Sequence, residues 1–525
     1  MAGEKAATES VPPPVAVIDV GTTAIRMAVA QQQPDGSTRT LDVLNRPLAL
    51  GKDTFYKGTI GRDTIEDCVG VLKSYRQILD EYGVRVPEDV RAVGTSAVRE
   101  ASNCQMLIDR VYIATGIRVE PIDEAGVNRL TYLSVHPFFA AHPELTKGNT
   151  LIVEVGAGTT EILLLQDGDV VASHSYRLGA LRLQQLLANY QMPGSDKRLI
   201  IEKQIQRMVD QIRVGMKGNA VDRMVTLGGD MRFVADHLAS GWREKAVAKL
   251  PVKTMEPFAR ELLKRSADEL VRDYRLSFQD AETVGPAVYA IVKMARAFKR
   301  NTLWISKASL RDGLLTELQS GGAWTEDFRQ QIHRSALELG RKYDFHEAHA
   351  QHAADLSMVL CRALQGDHQL DARHEDLLYT AALLHEIGLY VSNRSHHKHS
   401  MYLILNSDLF GLSSKDLLMV ALVARYHRRA QPRSTHEGYQ RLESEGRIAV
   451  TQMAAILRVA DALERSHSQR IRDIRCSREK DRFVIRVPSI GDFSLEQVAL
   501  QQKGALFEDV FGLKIHLQRG GRRTK

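Results

Sequence analysis

The chain has 525 residues, 44% of them hydrophobic and 26% charged, which argues for three or four globular domains and against a disordered or fibrous protein. Lys and Arg number 71 against 64 Asp and Glu, so the net charge of +7 favours a polyanionic partner only mildly, and aromatics at 6% give no aromatic-basic stripe; no specific nucleic-acid partner is expected. Four scattered cysteines without a CxxC pair (Cys68, Cys104, Cys361, Cys476) suit free thiols in a reducing compartment. No apolar run approaches the roughly 20 residues that span a bilayer, so a cytoplasmic protein without membrane association is expected.

Residues 1–14 carry Pro12, Pro13 and Pro14 and no apolar stretch, and read as a disordered leader. From Val15 to about residue 300, strand-like runs alternate with helical stretches, the pattern of α/β layers. The first strand starts at Val15, delivers Asp19 to its end and turns on Gly21, Thr22 and Thr23 into a return strand reaching Ala30. Another strand ends at Gly94, Thr95 and Ser96, and a helix is predicted from about Val127 to Ala140. Leu151–Leu165 repeats the strand–turn–strand with Glu154 in the acidic position and Gly156, Gly158, Thr159 and Thr160 in the turn. A further strand ends on Gly228 and Gly229. The two Gly/Thr loops are 135 residues apart, counted from Asp19 to Glu154, and imply two related halves. Such turns expose backbone N–H groups and hydroxyls to phosphate, while the acid can hold a cation.

From about 322 the pattern is helical and rich in Ala, Leu and His until about 470; β alternation returns at 482–488 and 512–517. The expected domains are 15–140, 141–321, a helical 322–475 and a small α+β 476–525, with a frayed tail from Gly520.

These residues carry a resemblance to the exopolyphosphatase/guanosine pentaphosphate phosphohydrolase family. It rests on the first loop, the segment Val93–Ala101 with Arg99, the second loop with Thr160 and Glu161, the stretch Arg177–Leu183, and Ser309–Leu314. In the C-terminal half it rests on Leu384–Gly388, Lys398–Ser400, Asn406–Asp408, Arg425–Arg428 and Leu457–Leu463. The resemblance implies an actin-like (ASKHA) α/β fold with duplicated ribonuclease-H-like halves, followed by an all-α HD-like domain and a small α+β domain. It also implies release of terminal orthophosphate from polyphosphate or from guanosine pentaphosphate, with Mg²⁺, by a homodimer whose partners are polyphosphate or guanosine penta- or tetraphosphate. Asp19 and Glu154 would hold Mg²⁺, directly or through water. Gly21, Thr22, Thr23, Thr95, Ser96, Gly156, Gly158, Thr159, Gly228 and Gly229 would bind phosphate, with Arg99 clamping two oxygens. Glu161 is a candidate to orient the lytic water or the metal shell.

The chain departs from the family at four places. Two glutamates, one a general base, belong just before a helix matched here by Asn128–Tyr132; Gly126 and Val127 stand in their place and cannot take a proton. Glu124 and Asp123 are the nearby substitutes, needing about 3 Å reach to the water. Glu154 replaces an aspartate, Thr23 an asparagine, and Asp230 follows Gly229 where a threonine is usual. These departures leave a second expectation open: a catalytically impaired sensor that binds polyphosphate or alarmone.

In the helical part His349, His385, Glu386, His399, His427 and Asp461 resemble the HD phosphohydrolase pattern, with Glu386 for the central aspartate. Their alternatives are a second metal site, at His349, His385, Glu386 and Asp461, or an inherited scaffold whose polar groups pair with one another. His396, His397, Lys398, His399, Arg425, His427, Arg428 and Arg429 add a basic cluster, read either as a polyphosphate track or as a solvated face.

Overall fold

Each acidic strand named above is followed at once by its own antiparallel return strand, and that hairpin is the seed of a sheet. The structure, a computed structural model, describes residues 12–35, 37–188, 194–216, 220–245, 247–320, 324–488 and 492–519; most of the expected leader and the tail from Gly520 lie outside them. The chain divides into two units, residues 1–322 and 323–525.

The first unit holds two sheets. Strands β1 (Val15–Val20), β2 (Ala24–Gln32), β3 (Thr38–Pro47), β4 (Val90–Gly94) and β5 (Val119–Pro121) form one, in the order β3-β2-β1-β4-β5. Strands β6 (Asn149–Val155), β7 (Thr160–Gln166), β8 (Asp169–Tyr176), β9 (Arg223–Leu227), β10 (Val247–Pro251) and β11 (Thr302–Ser306) form the other, in the order β10-β11-β9-β6-β7-β8. Both begin as an antiparallel meander, and both continue with a parallel strand beside the first, β4 against β1 and β9 against β6. Most residues of those central strands are apolar and buried, as parallel crossovers require.

The duplication extends to single hydrogen bonds. Gly21 N–H donates to Ala24 O at 3.0 Å, and Gly156 N–H donates to Thr159 O at 2.9 Å, closing the same turn one residue past each strand. Registers agree as well: Asp19 lies opposite Arg26, and Glu154 lies opposite Glu161, seven residues on in each case.

The helix expected from Val127 begins at Glu124 and runs to Ala141; Asp123 caps it by accepting from Gly126 N–H at 2.8 Å. The cap draws the start back over Gly126, a residue whose low helix propensity hides it from periodicity.

The second unit is helical from Glu326 to Leu463, then forms a three-stranded sheet of β12 (Arg475–Glu479), β13 (Arg482–Val487) and β14 (Lys514–Arg519) in the order β12-β13-β14. Helices Ser494–Lys503 and Ala505–Phe511 connect β13 to β14, which run parallel. Among the described residues no helix is long and apolar enough to cross a membrane.

Candidate active site

The ends of β1, β4, β6 and β9 converge on a cleft of about 170 Å³ in the first unit. Ligand sites lie where strands end and the chain turns into helices, because backbone N–H groups are left without partners there. Every phosphate-binding candidate lines this cleft: Gly21, Thr22, Thr23, Thr95, Ser96, Arg99, Gly156, Gly158, Thr159, Gly228 and Gly229. Asp19, Glu154 and Glu161 line it too.

The turns meet closely. Thr22 Oγ1 and Ser96 Oγ are 3.1 Å apart, and a Cβ built on Gly158 would lie 2.3 Å from Ser96 Oγ and 2.8 Å from Phe55 Cζ. Only glycine lets the second turn seat on the first half. Arg182 fastens the same contact: its Nε donates to Gly158 O at 2.6 Å, and its Nη2 reaches both oxygens of Glu100. Gly228 has φ +102°, a conformation that L side chains rarely adopt, and sits over the Glu154 carboxylate.

The cleft concentrates acids. Asp19, Glu154, Glu161 and Asp230 line it with Arg26, Arg232 and Arg311 among them. Burial raises the Asp19 and Glu154 carboxyls, which Arg26 and Arg232 respectively pull back. Glu161 is pushed up to about 7 by burial, against hydrogen bonds from Ser175 and Thr159. Asp230 is also pushed up to about 7, by burial first and then by Asp280. A carboxylate at this position would repel a polyanion; the raised value of Asp230, with the charges of Arg26 and Arg232 acting on it, blunts that repulsion.

Two carboxylate oxygens here, Asp19 Oδ1 and Glu161 Oε2, are buried without a hydrogen-bond partner. Leaving an acceptor unpaired out of water costs free energy. A hard cation that keeps part of its water shell fits the Asp19 oxygen, whose charge also acts on the Glu154 carboxyl, so this pair of acids suits Mg²⁺.

Glu124 stands apart from the other candidates. It does not line the cleft; its Oε1 lies 3.7 Å from Arg99 Nη2 and 3.3 Å from Arg177 Nε. Val127, one of the two residues in the glutamate positions, does line the cleft, and Gly126 is buried. Arg26 and Arg232 also line the cleft and belong to no motif visible in the sequence. The alternation of β2 could have shown Arg26, since a residue opposite Asp19 shares its face.

In the second unit His349, His385, Glu386 and Asp461 do come together. Donor atoms of His349, His385 and Asp461 lie within 4.8 Å of one another, as do those of His349, Glu386 and His467, and those of Glu386, His396 and His427. The grouping takes His396 and leaves out His399, one turn later on the helix His396–Leu405. Asp461 is in direct contact with Lys503 Nζ, and this ammonium with His385 and His427 holds its carboxyl well below the usual range. The expected basic cluster is split: His396 and His427 belong to the histidine group, whereas Lys398 and Arg425 line a pocket of about 960 Å³ with Tyr402, Lys415 and Arg441.

Comparison with known proteins agrees with this geometry. The guanosine-5'-triphosphate,3'-diphosphate pyrophosphatase of Aliivibrio fischeri (strain MJ11) is 23% identical over 469 residues, 86% of this chain and 88% of that one. The protein of the same name from Vibrio vulnificus (strain YJ016) is 22% identical over 425 residues, covering 79% and 81%. Among solved structures, an exopolyphosphatase from Cytophaga hutchinsonii matches with a TM-score of 0.54 and 23% identity over 59% of this chain and 99% of its own. The two-sheet unit thus has the actin-like fold. The model of the Ppx/GppA phosphatase family matches residues 28–320 and that of Ppx/GppA phosphatase domain III matches residues 332–503, and the chain belongs to the Ppx/GppA phosphatase family.

Proposed function

We propose that the cleft hydrolyses a terminal phosphoanhydride, releasing orthophosphate from inorganic polyphosphate or from guanosine pentaphosphate, the substrate classes named for the similar proteins. The observation that carries this reading is Glu161: a buried carboxyl facing the phosphate loops, titrating near 7, with one oxygen unpaired. A base works best with a pKa close to the operating pH, and ordinary glutamates lie well below it. Glu161 takes a proton from the attacking water as the new P–O bond forms and the anhydride P–O bond breaks toward the leaving phosphate. Ser175 Oγ donates to Glu161 Oε1 at 2.9 Å and fixes the carboxyl in place.

The turns at Gly21–Thr23 and Gly156–Thr159 offer N–H groups and hydroxyls to the terminal phosphate. Arg26, Arg99, Arg232 and Arg311 balance its charge. Mg²⁺ held through Asp19 and Glu154 supplies, when bound, neutralisation of the phosphate oxygens. Glu124 serves in this scheme to position Arg99 rather than to move a proton. The homodimer expected from the resemblance is part of the proposal and is checked by light scattering.

The test is orthophosphate release from each substrate with Mg²⁺, for the wild type beside Glu161→Gln and Glu124→Ala. Release that Glu161→Gln abolishes supports the reading. A wild type no faster than Glu161→Gln overturns it. One observation favours a second reading, a binding sensor: Val127 presents an apolar side chain on the cleft wall at one of the glutamate positions. Tight, salt-sensitive binding of either polyanion without turnover would select the sensor.

A further inference from the structure

The histidine group of the second unit contains a contact that two neutral imidazoles do not make unaided. His427 Nδ1 lies 2.6 Å from Ala424 O, and His396 Nδ1 lies 3.3 Å from Asn393 O. A ring nitrogen facing a carbonyl oxygen is the protonated one, so both rings carry their hydrogen on Nδ1. Their Nε2 atoms are therefore lone pairs, and they face each other at 3.2 Å. Two lone pairs at that distance repel unless something positive lies between them.

The neighbours repeat the pattern. His385 Nδ1 lies 2.6 Å from Ala382 O, and its Nε2 is fully buried with no hydrogen-bond partner. The His385 and His427 rings are 4.9 Å apart. Glu386 brings a carboxylate to the same place; its Oε2 lies 3.6 Å from His349 Nε2. Backbone carbonyls that hold Nδ1–H and aim Nε2 inward are the support that ligating histidines use.

Around an ion with bonds of 2.0–2.2 Å, adjacent ligand atoms stand roughly 3 to 3.5 Å apart. The 3.2 Å between the two Nε2 atoms falls in that range, and the Glu386 oxygen is within 4.8 Å of both. Imidazole with one carboxylate selects borderline transition metals of the Zn²⁺, Fe²⁺ or Mn²⁺ kind over Mg²⁺. We propose that Glu386, His396 and His427 hold a divalent transition-metal ion, a site separate in ligand chemistry from the oxygen-lined phosphate cleft. The adjoining triad of His349, His385 and Asp461 is different: the Lys503 ammonium already lies on Asp461 and supplies its positive charge.

Cobalt(II) is the probe. The full-length protein, stripped with chelator and titrated with Co²⁺, is expected to show visible d–d absorption that saturates near one equivalent. Zn²⁺ should quench the absorption, whereas a large excess of Mg²⁺ should leave it unchanged. His396→Gln, a half-buried position, and His427→Gln should each abolish the band while keeping the helical circular dichroism. Asp19→Asn, in the other unit, should retain it, which separates this site from the phosphate cleft. No band in the wild type, a band lost to Mg²⁺, or a band that survives both histidine substitutions would overturn the proposal. In the first of those outcomes the two histidines share a proton instead.

Discussion

The two hairpins that build the cleft share their register and differ in charge. In the first half Asp19 faces a cation across the strand pair, Arg26, whose guanidinium lies 3.8 Å away. In the second half Glu154 faces another acid, Glu161. The first pair is close to neutral as folded. In the second, burial raises both carboxyls, Glu154 adds to the rise of Glu161, and Arg232 offsets part of the rise of Glu154, so uptake of a proton or a cation is favoured. The same scaffold thus gives one side a cation across the strand pair and the other a second acid, with Arg232 from beyond β9 as its nearest balancing charge. This asymmetry is the chemical content of the site.

Removing the second member of the acidic pair should have the largest effect. Glu161→Gln keeps the shape and the Ser175 contact but cannot accept a proton; phosphate release should fall by about 10² to 10⁴ with little change in KM. The wild-type rate should rise through pH 7 and level off above it, since Glu161 works in its ionised form and titrates near 7. A flat profile, or full activity in Glu161→Gln, would place the base elsewhere.

Gly158→Ala tests how the halves are joined. The position equivalent to Gly158 in the first loop is Thr23, four residues after the acid in both. A side chain is tolerated at Thr23, whereas at Gly158 a Cβ would collide with Ser96 and Phe55. Overpacking of this kind costs about 1 to 3 kcal/mol and should lower the melting temperature. Gly156→Ala, whose Cβ would meet only Thr159 O at 3.2 Å, should cost less. Equal effects would mean that the turn does not seat on the first half as described.

These contrasts show what the sequence carries and what it does not. The loops at Gly21 and Gly156, and the strand ends at Thr95 and Gly228, were legible because glycine after an apolar strand has few other uses. Arg26 and Arg232 were not, since an arginine takes its meaning from the residue facing it, and that depends on register and on the crossover from β6 to β9. Glu124 was proposed from its distance along the chain; the Asp123 cap starts the helix early and turns Glu124 toward Arg99 and Arg177. The edge strand β3 was missed because its sequence is polar and largely exposed, with only a weak apolar alternation. In the helical unit the separate histidines were visible, but choosing His396 over His399 required the helix phase.

The acidic pair should also leave a mark on stability. Glu161 has a folded value near 7, above its ordinary 4.5, and Asp230, raised likewise, is shared by the wild type and Glu161→Gln. Groups raised on folding give stability that is complete below the unfolded value and disappears as pH rises through the folded one. Without Mg²⁺, the wild type should therefore lose stability between about pH 4.5 and 7.5 relative to Glu161→Gln. One pKa unit corresponds to about 1.4 kcal/mol, so the difference should reach at most roughly 3 to 4 kcal/mol. Added Mg²⁺ should shrink it by favouring the ionised pair. The buried histidines, with values lowered by burial, slope the other way as pH falls, and they cancel because both proteins share them. Parallel stability curves would show that Glu161 is ordinary.

The smallest expected effect addresses the glutamates that the sequence lacks. Val127 lines the cleft on the helix Glu124–Ala141, so Val127→Glu puts a carboxylate where similar proteins are expected to carry one. If Glu161 already serves as the base, a further acid brings only extra repulsion in a cleft already lined by Asp19, Glu154, Glu161, Asp230 and Asp280, and turnover should change no more than a few-fold. Binding of the polyanion should weaken slightly and become more dependent on Mg²⁺. A gain on the order of 10² in phosphate release would instead mean that the natural chain lacks its base, because restoring a positioned proton acceptor has that magnitude. Substituting Gly126 is a poorer probe: Gly126 is buried beneath the Asp123 cap, and a Cβ there would lie 3.2 Å from Asp123 Oδ1, so a new side chain would disturb the helix start before it reached the water. Val127→Glu isolates the chemistry from the fold, and its result decides whether the unequal second hairpin alone completes the cleft.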